Sequence, residues 1–313
     1  MIGTLAIMIA VSTLFFSVVL SLFGGFNLFS LALFVIPVNI AQWLFAPYLI
    51  NVMYGTRPLS TSDNPRLTNI VEDLSQKMGL RTPKIMLANL PIPNAFAYGS
   101  PLTGNRIAVT SGLVRDLQTE EIEAVIGHEL GHLKHRDVQV MMIASVLPAI
   151  LYYLGYSMLF SARYNRGQRE GNSGAAVLIG IGSMIFYWIL NLLVLGLSRM
   201  REYYADQNSV KYVEDGAGKL SKALAKIATS TNRTRRYSAS NTSVGSFKAL
   251  FISDPDTAQK DEMAMAQSGM LGNDQQLVHE MVSRKISPLD IILELFSTHP
   301  NIVKRLRALQ NPA

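Results

Sequence analysis

The sequence predicts a mainly α-helical membrane protein, with about four transmembrane helices joined to a polar α+β domain that contains a small antiparallel sheet. Three observations carry this reading. The apolar fraction is 49% and the mean hydropathy +0.22, both high for a water-soluble chain of 313 residues. No side chain from Met1 to Thr56 is charged, and two further uncharged stretches run from Val138 to Ala162 and from Gly171 to Ser198. The polar segments between and after them show helical periodicity and short alternating runs.

About 20 apolar residues cross a hydrocarbon layer of roughly 30 Å, so residues 1–55 are long enough for a hairpin of spans. The expected spans are Leu5 to Phe23 and Leu28 to Ile50, turning at Gly24-Gly25-Phe26-Asn27, with Pro37 and Pro47 as kink positions. A cleaved signal peptide fits less well, because there is no basic n-region and the apolar stretch runs far past a normal h-region.

Residues 56–137 form the first part of the polar domain. Asn64-Pro65 reads as an N-cap followed by proline at the first helical position, and Leu67, Ile70, Val71, Leu74 and Met78 recur at helical spacing up to Gly79. Lys84 to Ala88, Ala95 to Tyr98 and Arg106 to Val109 read as strands, separated by Pro91, Pro93 and the Thr103-Gly104-Asn105 turn. Thr119 is the expected cap of a helix that carries Glu120 and Glu121 in its first turn. With no proline before Pro148, this helix is expected to run nearly straight into the third span.

Residues 138–198 hold the second pair of membrane-associated helices, interrupted by Arg163, Arg166, Arg169 and Glu170. Residues 199–313 complete the polar domain, mostly as helix, with Ala228 to Ser246 expected as a mobile loop because it is rich in Ser, Thr, Asn and Arg.

Charge sets topology. The Gly24 to Asn27 turn has no Lys or Arg, whereas Arg57 opens the segment after the second span, which puts the polar domain on the cytoplasmic side. The arginines at 163–170 would then lie outside, which argues against both later stretches crossing fully. The net charge of +6 is scattered, so it fits contact with anionic lipid rather than a nucleic-acid partner. The absence of cysteine excludes a disulfide scaffold.

The chemistry centres on His128-Glu129-Leu130-Gly131-His132. Positions four apart share a helix face, so the imidazoles of His128 and His132 can converge on one ion, and Glu129 can act on a water beside it. Zinc suits two such nitrogens, one carboxylate and a water. From this chain's own residue frequencies a chance H-E-x-x-H is roughly a one-in-a-few-hundred event, so the motif is informative. The candidate third ligand is Glu202, with Asp206 four residues on as the group that orients a ligating histidine. By chemistry alone this pair also fits a solvated acidic face paired with Arg199 and Arg201.

The combination of H-E-x-x-H with the later S-R-x-x-E-x-x-A-D at Ser198 to Asp206 resembles the HtpX-type membrane metalloproteases, relatives of the CAAX prenyl endoprotease. The Asn94-Ala95-Phe96-Ala97-Tyr98-Gly99 run, and Thr298-His299-Pro300 with Arg305 six residues beyond the histidine, extend the resemblance over nearly the whole chain. It implies a zincin-like catalytic domain in which His128, His132 and Glu202 bind one zinc ion, Glu129 activates water and Asp206 orients a ligand. It further implies that Asn94 and Ala95 pair with an extended substrate backbone, and that His299 helps stabilise the oxyanion. His135 and His279 have no functional case.

The function so implied is a zinc endopeptidase of the cell membrane, cutting misfolded or damaged membrane proteins at the cytoplasmic face. Processing of prenylated CAAX proteins is the alternative from the same resemblance. An intramembrane-cleaving site is disfavoured by the charges around the motif, from Glu120 to Asp137. A non-catalytic scaffold with structural zinc is disfavoured by the lack of cysteine.

Overall fold

The computed structural model describes residues 28–164, 173–237 and 274–310. The expected first span, the turn after it and the arginines at 166 and 169 lie outside these residues. Two compact units divide the chain. One takes the chain up to Trp43 together with Gln139–Leu197, and the other Leu44–Val138 together with Ser198 onward.

In the first unit the uncharged segments form helices. Helix α1 (Leu28–Tyr54) covers the second expected span and passes through Pro37 and Pro47. Helix α5 (Asp137–Tyr164) and helix α6 (Ser173–Tyr212) cover the third and fourth. Over Asp137–Phe160 and Gly174–Tyr212 these last two are long and apolar enough to cross a membrane, and only 33% and 17% of their most apolar windows are buried. A soluble core helix would bury most of its apolar surface, whereas Ile143, Leu147, Phe186, Trp188 and Leu193 face outward. Met141 and Val194 form a small core between α5 and α6, backed by Ala144 and Leu197.

The second unit is built around a four-stranded sheet: β1 (Thr56–Pro58), β2 (Lys84–Ala88), β3 (Ala95–Ser100) and β4 (Gly104–Thr110), in the order β1-β2-β4-β3. The sheet is mixed rather than antiparallel. Strands β1 and β2 pair antiparallel, as do β3 and β4, but β2 and β4 are parallel with Ala88 opposite Thr110. The reason lies in the connection after β2. Residues 89–94 cross the end of the sheet, held by Gly112 N–H donating to Leu90 O and Thr110 Oγ1 to Ile92 O. Strand β3 therefore returns one position away from β2, and the short turn after it feeds β4 into the gap, where it must run parallel to β2.

Helix α2 (Pro65–Lys77) follows expectation: Asn64 Oδ1 accepts from Leu67 N–H, Leu67, Val71 and Leu74 are buried, and Gly79 takes φ +69 after the last turn. Helix α3 (Ser111–Asp116) is capped by Thr110. Helix α4 (Thr119–Lys134) starts one residue earlier than its expected cap: Gln118 is the N-cap, and Glu121 accepts from the Gln118 N–H at 2.8 Å, so Thr119 lies inside the first turn. Nor does α4 run on into the third span. It stops at His135, and Arg136 takes φ +53 before α5 begins at Asp137.

Helix α7 (Gly216–Tyr237) corrects the loop expected at 228–246, since residues 228–237 continue the helix and the remainder lies outside the described residues. The apolar stripe of Leu220, Leu224, Ile227 and Ala228 explains why: it meets α4, so burial outweighs the poor helix formers that follow it. Helices α8 (Asp274–Ser283), α9 (Pro288–Leu295) and α10 (Ile302–Gln310) complete the unit. Helix α4 is the central element, packed against α2, α7 and β3, with Val125, Ile126 and Leu130 fully buried.

Candidate metal centre

Helix α4 brings His128 and His132 to the site, and two glycines let α6 approach it. A Cβ on Gly127 would lie 2.9 Å from Val213 Cγ2, and one on Gly131 only 3.0 Å from Ala205 Cα. These positions are four apart, so they form one bare stripe along which α6 crosses. Ser209 Oγ donates to Ala124 O at 2.8 Å and fastens the crossing. The close approach places Glu202 of α6 opposite the histidine pair.

The potential ligand atoms of His128, His132 and Glu202 all lie within 4.8 Å of one another. His128 Nε2 is 3.2 Å from His132 Nε2, and the Glu202 oxygens are each 3.6 Å from a histidine Nε2. Bonds of about 2.0–2.1 Å at tetrahedral angles separate ligand atoms by about 3.3–3.4 Å, so these spacings suit zinc. Glu202 Oε2 is also buried and accepts no hydrogen bond among the described residues; the Arg305 guanidinium 3.3 Å away offsets its charge while its lone pairs stay open to a metal.

Outer groups hold the ligands in place. Asp206 Oδ1 lies 2.8 Å from His128 Nδ1, and Asp137 Oδ2 lies 2.6 Å from His132 Nδ1. A carboxylate on the outer ring nitrogen fixes the tautomer that leaves Nε2 free for a metal. Arg305 from α10 grips Asp206 through Nε and Nη2, and its Nη1 lies 3.3 Å from Glu202 Oε2. Arg201 Nη1 donates to the Asp137 carbonyl. Burial opposes charge on His128, but Asp206 and Glu202 outweigh it and push its pKa up to about 9.

Glu129 is only 3% exposed, and burial raises its carboxyl above the ordinary range. Its Oε2 accepts a hydrogen bond from Ala97 N–H at 2.8 Å. Ala97 therefore points its N–H away from β4, and by strand alternation the backbone groups of Ala95 share that edge. Asn94 differs. Its N–H donates to Thr110 Oγ1 and its carbonyl accepts from Thr110 N–H, so its backbone groups face β4.

The structure thus gathers His128, His132, Glu129, Glu202, Asp206 and His299, whose Nδ1 is 3.4 Å from Glu202 Oε2. Two residues went unrecognised from sequence in these positions: Asp137 beside His132 and Arg305 as the partner of Asp206. Asp137 is five residues after His132, off the ligand face of a continuous helix, and only the break at Arg136 turns it inward. His135, set aside above, lies 3.2 Å from Asn208 Nδ2 and belongs to the packing of α4 on α6.

The chain matches known proteins over most of its length. Residues 61–313 match Peptidase family M48. The chain is 38% identical over 297 residues to a protease HtpX homolog of Thermoplasma acidophilum, covering 91% of this chain and 88% of that protein. It is 36% identical to protease HtpX homolog 2 of Sulfurisphaera tokodaii, covering 96% and 93%, and 36% identical to a protease HtpX homolog of Archaeoglobus fulgidus, covering 97% and 83%. Among solved structures, S. mikatae Ste24p matches with a TM-score of 0.57 at 19% identity over 98% of this chain. The chain spans 64% of that protein's length, and this likeness carries the fold alone.

Proposed function

The chain belongs to peptidase family M48 as a membrane zinc metalloprotease of the HtpX type, and from that premise we propose that His128, His132 and Glu202 hold its zinc and Glu129 is its general base. The observation that carries the reading is the convergence of His128, His132 and Glu202 at tetrahedral-edge spacing, with a buried Glu202 oxygen that accepts no hydrogen bond among the described residues.

Zinc bound there would lower the pKa of a coordinated water from roughly 15.7 to about 7 and polarise the scissile carbonyl. Glu129 takes the proton of the attacking water and passes it to the leaving amine. Its raised pKa suits both halves of that transfer, and the hydrogen bond from Ala97 N–H fixes the direction of the carboxylate. Asp206 and Asp137 hold the two imidazoles, and Arg305 holds Asp206. His299 donates toward the carbonyl oxygen as negative charge develops on it. The substrate strand adds at the outer edge of β3 through the backbone of Ala95, while Asn94 stays tied to Thr110 and lines the start of that edge.

In this reading the site lies at the cytoplasmic face of the cell membrane in a multi-pass protein whose four apolar stretches all associate with the bilayer. The substrates are unfolded or damaged membrane proteins, and the role is protein quality control. Support comes from Arg57 directly after the second apolar stretch and from the charged residues Glu120 to Asp137 around the motif, which suit the membrane surface better than its interior.

The test is cleavage of an unstructured protein, and of the chain itself, by wild type and Glu129→Ala purified in detergent without zinc and then resupplied. Cleavage by wild type alone, stopped by a chelator, is expected. If neither cuts although both bind zinc, the catalytic reading fails and the zinc is structural.

A further inference from the structure

Helix α9 is inside out for a water-facing helix. Leu289, Ile291, Ile292, Leu293, Leu295 and Phe296 are all exposed, from 42% to 59%, while its acid Glu294 is the buried residue at 9%. Glu294 is satisfied by Lys304 and by the N–H of Asn301. The helix is nonetheless a built element. Ser287 caps it, Pro288 occupies the first helical position, and Asp290 accepts from Ser287 N–H to complete the capping box.

Its other end is fastened at a particular level of the chain. Arg199 Nη1 donates to the carbonyls of Glu294, Leu295 and Ser297, and Ser198 Oγ donates to Thr298 O. Ser198 is the last residue of the uncharged run of α6 and Arg199 the first charge after it, where a membrane-crossing helix passes from hydrocarbon into the head-group layer. The last carbonyls of a helix have no partner of their own, and in a layer poor in water they must be satisfied from within the protein. Arg199 does this for α9.

We propose that α9 is a monotopic membrane helix, seated with Leu289 to Phe296 in the interfacial layer of the bilayer beside the end of α6. Lipid, rather than another protein, is the occupant, because Ser198 and Arg199 tie the end of the helix to the point where the uncharged run of α6 stops, and its last carbonyls are already paired. The exposed Lys285 just before the helix faces anionic head groups. The chain leaves α9 through Ser297 and Thr298 directly to His299, so seating the helix in lipid also holds His299 against Glu202.

The chain has no cysteine, so a single one can be introduced cleanly. Full-length Ile292→Cys, Leu193→Cys on the apolar part of α6 and Glu72→Cys on the exposed side of α2 would each carry an environment-sensitive fluorophore in phosphatidylcholine–phosphatidylglycerol vesicles. Lipids spin-labelled near the top of the acyl chain should quench the probe at Ile292 about as well as that at Leu193, and several times more strongly than that at Glu72. If the Ile292 probe is reached instead by a water-soluble quencher, the helix faces water and the proposal fails. If neither quencher reaches it, a second copy or another segment of this chain covers the helix, and the proposal fails equally. Leu289→Cys and Phe296→Cys repeat the reading should Ile292→Cys misfold, with zinc content as the check on folding. None of these readings depends on peptide cleavage, so they stand apart from the test of the catalytic role.

Discussion

Arg305 holds Asp206 with two charge-assisted hydrogen bonds, 2.9 Å from Nε and 2.6 Å from Nη2, and both residues are almost wholly buried. Asp206 in turn lies 2.8 Å from His128 Nδ1, so a guanidinium on the last helix fixes an imidazole on the central one. Removing one member of a buried pair leaves the other charge uncompensated, which costs about 3–5 kcal/mol. Arg305→Ala should therefore melt well below wild type and bind zinc more weakly, while Arg305→Lys, which keeps the charge but loses the planar fork, should lie between. Thermal unfolding of the detergent-solubilised variants measures the order. Equal melting of Arg305→Ala and wild type would mean that this pair does not hold α10.

Glu129→Gln separates chemistry from metal binding. The amide keeps the shape and can still accept from Ala97 N–H, and burial that disfavours a charged carboxylate has nothing to oppose in a neutral side chain. Zinc content should stay at the wild-type level and melting should be unchanged or higher. Turnover should fall by about 10²–10⁴-fold, the usual contribution of a positioned base. Peptidase activity within a few-fold of wild type would remove Glu129 from the mechanism.

The α4–α6 crossing predicts a steric variant. At Gly131 a Cβ would sit 3.0 Å from Ala205 Cα, backbone that cannot step aside alone. Gly131→Val should push α6 outward, destabilise the fold by about 1–3 kcal/mol and separate Glu202 from the histidines. A chelator competition should show weaker zinc binding for Gly131→Val, with Gly131→Ala affected less. Wild-type affinity in the valine variant would mean that the crossing does not set the ligand spacing.

The local parts of this site were legible in the sequence because helical spacing is local: His128 with His132, and Glu202 with Asp206, each lie four residues apart. The Asn64-Pro65 start of α2 was legible for the same reason. What joins these parts is not local. Alternating runs identify β2, β3 and β4 but do not say that β4 enters between the other two, and that choice makes the sheet mixed. Arg305 lies 99 residues from Asp206, and Asp137 reaches His132 only because Arg136 adopts a left-handed conformation. Helix α9 was hidden among generally helical residues because its inversion shows only once Glu294 is seen buried and its neighbours are not.

Asp137 gives the sharpest test of that hidden layer. An amide can donate as well as accept, so Asp137→Asn leaves the size of the side chain intact while weakening its hold on the His132 Nδ1 tautomer. Losing such an outer carboxylate typically lowers metal affinity by about 10–100-fold. Zinc titration of Asp137→Asn should show a loss in that range, and Asp137→Glu should recover little because the spacing of 2.6 Å leaves no room for an added methylene. An unchanged affinity in Asp137→Asn would show the contact to be incidental.

The raised pKa of His128 makes metal uptake depend on pH in a definite direction. Its value of about 9 stands above the ordinary 6.5, so at neutral pH the metal-free imidazole carries a proton that zinc must displace. One proton released per ion means that apparent zinc affinity rises about tenfold per pH unit and levels off near pH 9. The stability of the metal-free protein runs the other way. A group with a raised folded-state pKa contributes its full stabilisation below the unfolded value and loses it as pH climbs through the folded one, so metal-free protein should melt progressively lower between pH 6.5 and 9. Replacing Asp206 with Asn removes a main support of the raised value and should flatten both trends over that interval. Zinc titrations and melting curves at pH 6.5, 7.5 and 8.5 measure both slopes on one preparation, and a zinc affinity flat across that range would mean that His128 is already neutral before the metal arrives.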